Sequence, residues 1–428
     1  MLALLKNRLA KGHFVRNVLT LMTGTTIAQA IPIGISPLLT RIYTPDDFGV
    51  FALYSSITSL LVVISTARYE LAIMLPEEED DAVNLVGLSI IIAGLYSLVL
   101  VLLIWVFFDL LSLLIGETIS SWLYFVPISV FLTGTYQTIT YWLNRKKNYS
   151  MLAKNKVNQT ATTAISNVGL GYMNIKPGGL IFGTVLGQFV AILSIIIRLW
   201  SEDRKKLVKI TREKIKYNAL RYIDFPKKSS IGIMFNTTAS QLPLLLISLF
   251  YGSAILGWYS LTVRVLSSPM SIIGTSVSQV FYEKALIAEK EKKLLELVKK
   301  TTKILTVIIS IPLTILFIFA EDLFVLVFGE SWLEAGVIVK IMIPFFIVRF
   351  IFSCQSTLLM VKRRMDYEVK FNAVFMVSQV LSLVLGLFLF QEYIYAFSLM
   401  ACSGFVIYLV NIIMLFRIAG ISVETANP

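Results

Sequence analysis

Two adjacent aspartates, Asp46 and Asp47, lie between two long apolar runs in the stretch SPLLTRIYTPDDFGVFALYSS, residues 36–56. Paired carboxylates of this kind can carry general acid–base chemistry. The preceding Thr44 and Pro45 favour another interpretation, because they match a helix N-cap and a proline in the first helical position, followed by an acidic residue at the third. Carboxylates in a first turn are also stabilised by the helix dipole. We therefore predict that the pair begins a helix and is not catalytic.

The same pattern recurs before a later apolar run, as Ser331-Trp332-Leu333-Glu334. It predicts a second helix start with a side-chain cap.

Other reactive residue types are scarce. The single histidine, His13, lies in the amino-terminal tail, and the two cysteines, Cys354 and Cys402, fall inside apolar runs. Their spacing matches neither a metal site nor a disulfide framework. We expect no catalytic residue, no bound metal and no cofactor.

Cations inside apolar runs are the residues that point most directly to function. Arg264 and Arg349 lie far from either end of their runs, where a charge must face protein or a wet cavity. Lys340 precedes Arg349 by nine residues, which places it on the opposite helix face. Arg68, near Glu70, and Arg41 lie closer to the ends of their runs. We predict a cationic cavity that binds an anion such as a phosphate or pyrophosphate, with these five cations as its binding residues.

Polar side chains also mark the first and seventh apolar runs. Thr25 and Gln29 are four residues apart, as are Thr237 and Gln241, and Asn236 adjoins the second pair. Each pair therefore lies on one helix face. Thr25, Gln29, Asn236 and Gln241 are predicted to line the cavity; bonding between helices is the alternative, and one wall can do both.

The elements that position these residues are membrane helices. The 428-residue chain is 57% hydrophobic and only 15% charged, with a mean hydropathy of +0.79. Recurrent apolar runs of membrane-spanning length predict a polytopic all-α protein. The twelve predicted spans are 17–39, 48–74, 84–107, 120–142, 157–175, 179–199, 229–250, 254–276, 304–320, 334–360, 370–390 and 394–416.

The basic residues orient these spans. Of the 38 Lys and Arg residues, 33 fall on one side, two in loops of the other side, and three within spans. This asymmetry predicts that both termini are cytoplasmic. It also accounts for the net charge of +12 without nucleic acid, because the basic clusters orient the helices and contact lipid headgroups. The acidic run Glu77–Asp81 is predicted to be solvated on the cytoplasmic side.

Weak internal repeats indicate a duplicated architecture. TTIAQ at 25–29 recurs as TTASQ at 237–241, and FGVFAL at 48–53 as LGWYSL at 256–261. Six helices per half return the chain to the same side, so the repeats are parallel. We predict two six-helix lobes around a central cationic cavity, residues 1–222 with the basic tail and linker, and residues 223–428.

Several stretches resemble a known family: LLTRIYTPDDFGVFALYSS, ARYELAIMLPEEEDDA, and FGESWLEAG before the tenth span. They are similar to Wzx-type polysaccharide repeat-unit flippases of the multidrug/oligosaccharidyl-lipid/polysaccharide (MOP) exporter superfamily, which also holds lipid II flippases and MATE pumps. The resemblance implies an inner-membrane flippase for an undecaprenyl-pyrophosphate-linked O-antigen or capsule unit, working by alternating access. It also implies membrane lipids as partners, with polymerase and chain-length proteins of the same pathway. The resemblance does not identify any binding residue in this sequence.

Three alternatives remain open. Another prenyl-linked glycan such as lipid II fits the same features, because the sequence does not identify the sugar. A MATE-type small-molecule antiporter for cationic drugs would favour buried carboxylates rather than arginines. A membrane enzyme of the pathway would need a large outer loop with catalytic residues, and the longest predicted outer loop has about a dozen residues.

Overall fold

The protein is all-α in a computed structural model that describes residues 2–207 and 209–420. Side chains are described from residue 20 to 420, apart from 114, 117–118, 199–208, 228, 231–232, 365–366 and 369. Within the described chain the α-helices, in order, are α1 Leu2–Ile42, α2 Pro45–Val62, α3 Tyr69–Ala72, α4 Glu79–Val106, α5 Phe108–Ile115, α6 Glu117–Ser120, α7 Val126–Arg145, α8 Tyr149–Tyr172, α9 Gly178–Leu207, α10 Arg212–Arg221, α11 Ser230–Tyr251, α12 Ser253–Lys290, α13 Leu294–Phe328, α14 Leu333–Gln355, α15 Leu358–Val361, α16 Met365–Phe390 and α17 Tyr393–Gly420.

Each of the twelve predicted spans falls on a different long helix. In the described chain seven helices are long and apolar enough to cross a membrane, namely α4, α9, α11, α13, α14, α16 and α17. The other five are α1, α2, α7, α8 and α12, which carry several of the polar side chains considered below. Large apolar side chains such as Trp105, Leu113 and Phe388 are exposed, as expected for helices whose outer faces meet lipid rather than water.

The chain divides into two compact units. The first contains the chain up to Tyr43 together with Val50–Gln241, and the second contains Thr44–Gly49 together with the chain from Leu242 onward. The lobe boundary between residues 222 and 223 stays a prediction.

Small residues let the helices of the first unit pack closely. A side chain on Gly24 of α1 would collide with Ala153 of α8, and one on Gly187 of α9 would collide with Thr163 of α8. Close backbone approach through small residues is the usual way in which membrane helices associate.

The predicted second span is interrupted. After α2 ends at Val62, the chain turns through Ala67 and Arg68, whose φ angles of 48° and 63° are left-handed, before α3 begins. Ser65 and Thr66 pack against Gly134 of α7, where no side chain intervenes. Irregular backbone within a membrane protein is tolerated where it is buried in protein or lines a cavity.

The acidic run 77–81 leads into the first turn of α4 and is exposed or half-exposed, in agreement with the prediction that it is solvated, and its last three members also bind side chains of other segments. Asp80 accepts from Lys209 at 2.9 Å, Asp81 accepts from Asn218, and Glu79 pairs with Lys146. Buried Asn84 accepts from the Thr211 backbone N–H and donates to the Lys209 carbonyl. The linker helix α10 also packs on an apolar cluster around Tyr69. These contacts pair distant segments and leave no local signal in the run.

The second unit has an aromatic core. Phe345 and Phe352 of α14, Phe371 and Phe375 of α16, and Tyr408 of α17 have ring centroids 5.1–6.3 Å apart in contacting pairs. Several pairs are edge-to-face, the arrangement that the ring quadrupoles favour.

The first turns of α2 and α12 meet within the second unit in a reciprocal contact. A side chain on Gly49 would collide with the carbonyl of Ser253, and one on Gly257 would collide with the carbonyl of Pro45. The two contacts are related by the 208-residue offset of the FGVFAL and LGWYSL repeats. The repeated glycines therefore allow two equivalent turns to pack backbone against backbone.

The predicted cap at Thr44 is confirmed. The Thr44 backbone N–H and hydroxyl donate to the Asp47 carboxylate at 2.8 and 2.9 Å, and the Asp47 N–H donates back to the Thr44 hydroxyl at 3.2 Å. This reciprocal bonding is a capping box. Asp46 accepts a hydrogen bond from Ser253 at the start of α12. Both aspartates therefore hold helix starts in place.

The second predicted cap, at Ser331, is wrong. Gly329, with a φ of 104°, leads into a 3₁₀ turn over Glu330–Trp332, and α14 begins after Trp332 with no side-chain cap. Burial of Trp332 against Phe48, with ring centroids 5.0 Å apart, selects the turn. Glu334 accepts from the Tyr393 hydroxyl at 2.5 Å instead.

Candidate functional site

A pocket of about 400 Å³ lies in the second unit between α12 and α14. Its polar side chains are Ser267, Ser271, Thr275 and Ser278 of α12 with Arg349 and Ser353 of α14, and its apolar part includes Met270, Phe346 and Phe350. Its volume is within the range of small-molecule sites.

Arg349 gives this pocket its charge. Its guanidinium carbon lies 5.4 Å from the ring centroid of Phe346 and 5.8 Å from that of Phe345. Among the described residues no carboxylate forms an ion pair with it. Ring faces stabilise a cation without neutralising it, so no described group neutralises the Arg349 guanidinium beside the pocket.

Arg264 belongs to the same helix face as the pocket hydroxyls. Successive members of the series Arg264, Ser267, Ser271 and Thr275 are three, four and four residues apart. These side chains therefore form one stripe along α12. The guanidinium carbon of Arg264 lies 5.7 Å from the ring centroid of Phe48. The described side chains give it no carboxylate partner either.

A proline interrupts the hydrogen bonding of α12 on the side away from this stripe. Pro269 stands inside α12 between Ser267 and Ser271 in sequence, about half a turn from both. It has no backbone N–H, so the carbonyl four residues earlier, on Val265, loses its helical donor. The helix that carries Arg264 therefore has an acceptor outside the regular helical pattern.

A second pocket, of about 420 Å³, lies within the first unit. The polar side chains that line it are Tyr54, Ser55, Thr58 and Ser59 of α2, Arg68, Ser129, Thr133 and Gln137 of α7, Thr184 and Gln188 of α9, and Thr237 of α11. Val62, Val63 and Ile233 complete its wall.

Arg68 is neutralised where it meets this pocket. Its Nη1 lies 3.2 Å from Oε1 of Glu70, a carboxylate that is 1% exposed. The Thr66 hydroxyl donates to the other oxygen of Glu70. The left-handed turn at Ala67 and Arg68 brings these groups together, and strained backbone of this kind is concentrated at functional sites.

Three of the predicted binding cations line neither pocket: Arg264, Lys340 and Arg41. Lys340 donates to Glu321 of α13 at 2.7 Å, so it too is neutralised. Arg41 is exposed in the last turn of α1. The five predicted cations are thus divided among several places, and their assignment to substrate stays a prediction.

None of the four residues predicted as polar lining lines either pocket, although Thr237, which adjoins Asn236, lines the pocket of the first unit. Thr25 donates to the carbonyls of Leu21 and Met22 on its own helix. Gln29 and Asn236 are exposed and Gln241 is half-buried, and none of the three lines either pocket.

Most of the pocket hydroxyls and amides were not predicted from the sequence. They follow one rule, polar residues four apart inside an apolar helix: Ser55 and Ser59, Thr133 and Gln137, Thr184 and Gln188, and Ser267 and Ser271. A search for this spacing in every span, rather than for charge, finds them. It does not identify which faces meet.

These arrangements fit binding rather than bond making. The pockets hold hydroxyls, amides and guanidiniums, which bind anions and polar groups. In the part of the chain that the structure describes, no group of three His, Cys, Asp or Glu residues could hold a metal ion.

Two solved transporters share the fold. The lipid II flippase MurJ, in an inward closed conformation, superposes with a TM-score of 0.70 at 14% identity, covering 94% of this chain and 90% of that one. An inward-facing multidrug-resistance MATE transporter of the MOP superfamily gives a TM-score of 0.67 at 14% identity, covering 95% and 96%. The predicted all-α exporter fold is confirmed.

Two curated proteins are similar to this chain in sequence. The chain is 23% identical over 351 residues to an uncharacterized membrane protein in the cps region of Klebsiella pneumoniae, covering 79% of this chain and 69% of that protein. It is 22% identical over 314 residues to the succinoglycan biosynthesis transport protein ExoT of Rhizobium meliloti, covering 70% and 59%.

The model of the polysaccharide biosynthesis protein family matches residues 38–337, which is more than half of the chain. The match includes Arg41, Arg68 and Arg264 and most of the residues that line the two pockets. ExoT, MurJ and the MATE protein, to which this chain is similar, are transporters or flippases rather than enzymes. The chain itself is a multi-pass membrane protein that belongs to the polysaccharide biosynthesis protein family.

Proposed function

We propose that this transporter is a flippase. It carries an undecaprenyl-pyrophosphate-linked oligosaccharide, the repeat unit of an O-antigen or capsule, across the bacterial inner membrane by alternating access. Both termini are cytoplasmic, so the cargo is loaded on the side that carries the basic loops.

The observation that carries this proposal is the state of Arg349 and Arg264. Both guanidiniums rest on aromatic rings in the second unit, with no carboxylate partner among the described residues. A cationic drug would be repelled by such a site, whereas a pyrophosphate matches the forked donors of arginine. The family match supplies the polysaccharide context.

The test is a flipping assay with the purified full chain in proteoliposomes. The vesicles carry lipid-linked oligosaccharide extracted from the source bacterium depleted of this transporter, and arrival in the opposite leaflet is measured. We expect Arg349→Ala and Arg264→Ala to lower the rate by at least about tenfold, because a charge-assisted bidentate contact is lost. Arg349→Lys should be intermediate, since lysine offers a point charge.

Two controls separate binding from folding. Arg417→Ala removes an exposed arginine of the same unit and should leave the rate unchanged, while Lys340→Ala should have a smaller effect than Arg349→Ala because Glu321 already neutralises Lys340. Wild-type rates in Arg349→Ala and Arg264→Ala would refute the anion site. The lipid-linked glycan that accumulates in the depleted cells identifies the cargo. If only lipid II accumulates, the cargo is lipid II and not an O-antigen or capsule unit.

A further inference from the structure

The pocket of the first unit differs in chemistry from the pocket that holds Arg349. Eleven of its fourteen lining residues carry a polar side-chain group, and Arg68 is the single charged residue among them. Because Glu70 pairs with that arginine, the pocket is close to neutral. A neutral pocket offers little to a pyrophosphate.

Its polar groups match a polyhydroxylated ligand. The hydroxyls of Ser55, Thr58, Ser59 and Thr133 and the amides of Gln137 and Gln188 each combine a donor with an acceptor. Sugar hydroxyls have the same dual character. The Thr184 hydroxyl already donates to the Leu180 carbonyl at 2.9 Å, which leaves its lone pairs to accept.

Three buried atoms of the pocket lack a partner. Oγ1 of Thr58, Oε1 of Gln188 and Nε of Arg68 have no hydrogen bond to any described residue. Buried polar atoms without a partner cost free energy, and such atoms in a native structure are usually satisfied by a ligand or water. The glutamine oxygen accepts, the arginine nitrogen donates and the threonine hydroxyl can do either, so a hydroxyl-rich ligand can satisfy all three.

We propose that this pocket binds the saccharide part of the cargo, through hydrogen bonds to neutral sugar hydroxyls. The inference rests on the proposed function, because it assigns a second part of the same lipid-linked cargo. Arg349 and Arg264 then recognise the pyrophosphate, and the pocket around Gln188 and Thr133 discriminates between glycans.

The experiment compares two probes on the full chain in nanodiscs. One is undecaprenyl pyrophosphate without sugar, and the other is the lipid-linked oligosaccharide extracted from the source bacterium depleted of this transporter. We expect the wild type to bind the glycan-bearing lipid at least about tenfold more tightly, since several hydrogen bonds are added. Gln188→Leu and Thr133→Val should each remove most of that preference and leave the affinity for the bare lipid unchanged.

Arg349→Ala should weaken binding of both probes equally. Thr140→Val is the matched control for Thr133→Val, because it alters a threonine of the same helix outside the pocket, and it should keep the wild-type preference. The melting temperature of each variant shows whether it folds. Valine has nearly the same shape as threonine, so Thr133→Val still tests the pocket if Gln188→Leu does not fold.

The outcomes distinguish this inference from the proposed function. The saccharide pocket is overturned if the wild type binds both lipids equally. It is also overturned if the pocket variants keep the wild-type preference, or if they lose affinity for both lipids to the same extent. None of these results contradicts the proposed flippase function. A wild type that binds neither lipid overturns the proposed function itself.

Discussion

At the scale of single residues, the cations differ in the partners that the structure gives them. Arg68 and Lys340 have carboxylate partners at 3.2 and 2.7 Å, whereas Arg264 and Arg349 rest on rings. Removing Arg68 would leave the buried carboxylate of Glu70 without its partner, which destabilises the fold. Lys340 and its carboxylate partner are both partly exposed, so their pair contributes less. A guanidinium on a ring retains its charge for a ligand.

Asp47 provides a residue-scale prediction that separates a helix cap from a catalyst. Asp47→Asn retains an oxygen that can accept from Thr44 but loses the charge in the first turn of α2. We expect transport close to the wild-type rate and a loss of at most about 1 kcal/mol in the free energy of unfolding. Flipping rate and melting temperature are the measurements. Abolished transport by a normally folded Asp47→Asn protein would show a chemical role.

At the scale of elements, α12 combines tight packing with a polar face. Its first turn approaches the first turn of α2 through Gly257, and Thr262 donates to the Ala335 carbonyl of α14 at 3.0 Å. The Arg264 stripe then follows on the next turns, ending at the pocket hydroxyls. The glycine contact and the hydrogen bond thus anchor the part of the helix that precedes the binding face.

The reciprocal glycine contact leads to an element-scale prediction. The added methyl group in Gly257→Ala meets the Pro45 carbonyl, a backbone atom that cannot rotate away. We expect the variant to lose about 1–3 kcal/mol in the free energy of unfolding, as for overpacked cores, and Gly49→Ala to behave similarly. The double variant should lose less than the sum, because either methyl group alone separates the turns. Thermal unfolding in detergent measures all three.

Gly169→Ala is the matched control for these variants. A methyl group at Gly169 in α8 meets no atom within 4 Å, and alanine favours helix over glycine by roughly 0.5–1 kcal/mol. It should therefore be neutral or stabilising. Equal losses at Gly169 and Gly257 would contradict the packing explanation.

At the scale of the whole molecule, the distribution of basic residues predicts the orientation in the membrane. Basic residues are concentrated in the tail, the linker and alternate loops. Several of them bind acidic groups: Lys209 and Lys214 lie 2.9 and 3.6 Å from Asp80 in the first unit, and Lys362 lies 2.8 Å from Glu289 in the second. The segments that we predict to orient the helices therefore also form ion pairs with the ends of neighbouring helices.

The topology prediction follows from that distribution. Fusions of alkaline phosphatase and of a fluorescent protein at Asn148 and Lys292 should report a cytoplasmic location, and fusions at Lys176 and Gly252 should report the opposite side. The readouts are phosphatase activity outside and fluorescence inside. An outside location for Asn148 or Lys292 would reverse the orientation and with it the direction of cargo loading.

Local chemistry in the sequence determined the class of the protein, the helices and one cap. Apolar runs of membrane length can become only helices in this setting, since every backbone group must bond within its own segment. The hydrogen bonds between Thr44 and Asp47 join residues three apart, so they too can be predicted from the sequence. The sequence also identified the cations far from the span ends, because a charged residue is rare within an apolar helix.

Only the tertiary structure decided which of those cations are neutralised and which residues line the pockets. Glu321 is 19 residues from Lys340, and the Ser331 cap was overridden by burial of Trp332 against a ring 284 residues earlier in the chain. Gln188 and Thr133 meet around one pocket from different helices. Helical periodicity places a side chain on a face, but the packing of helices decides what that face meets.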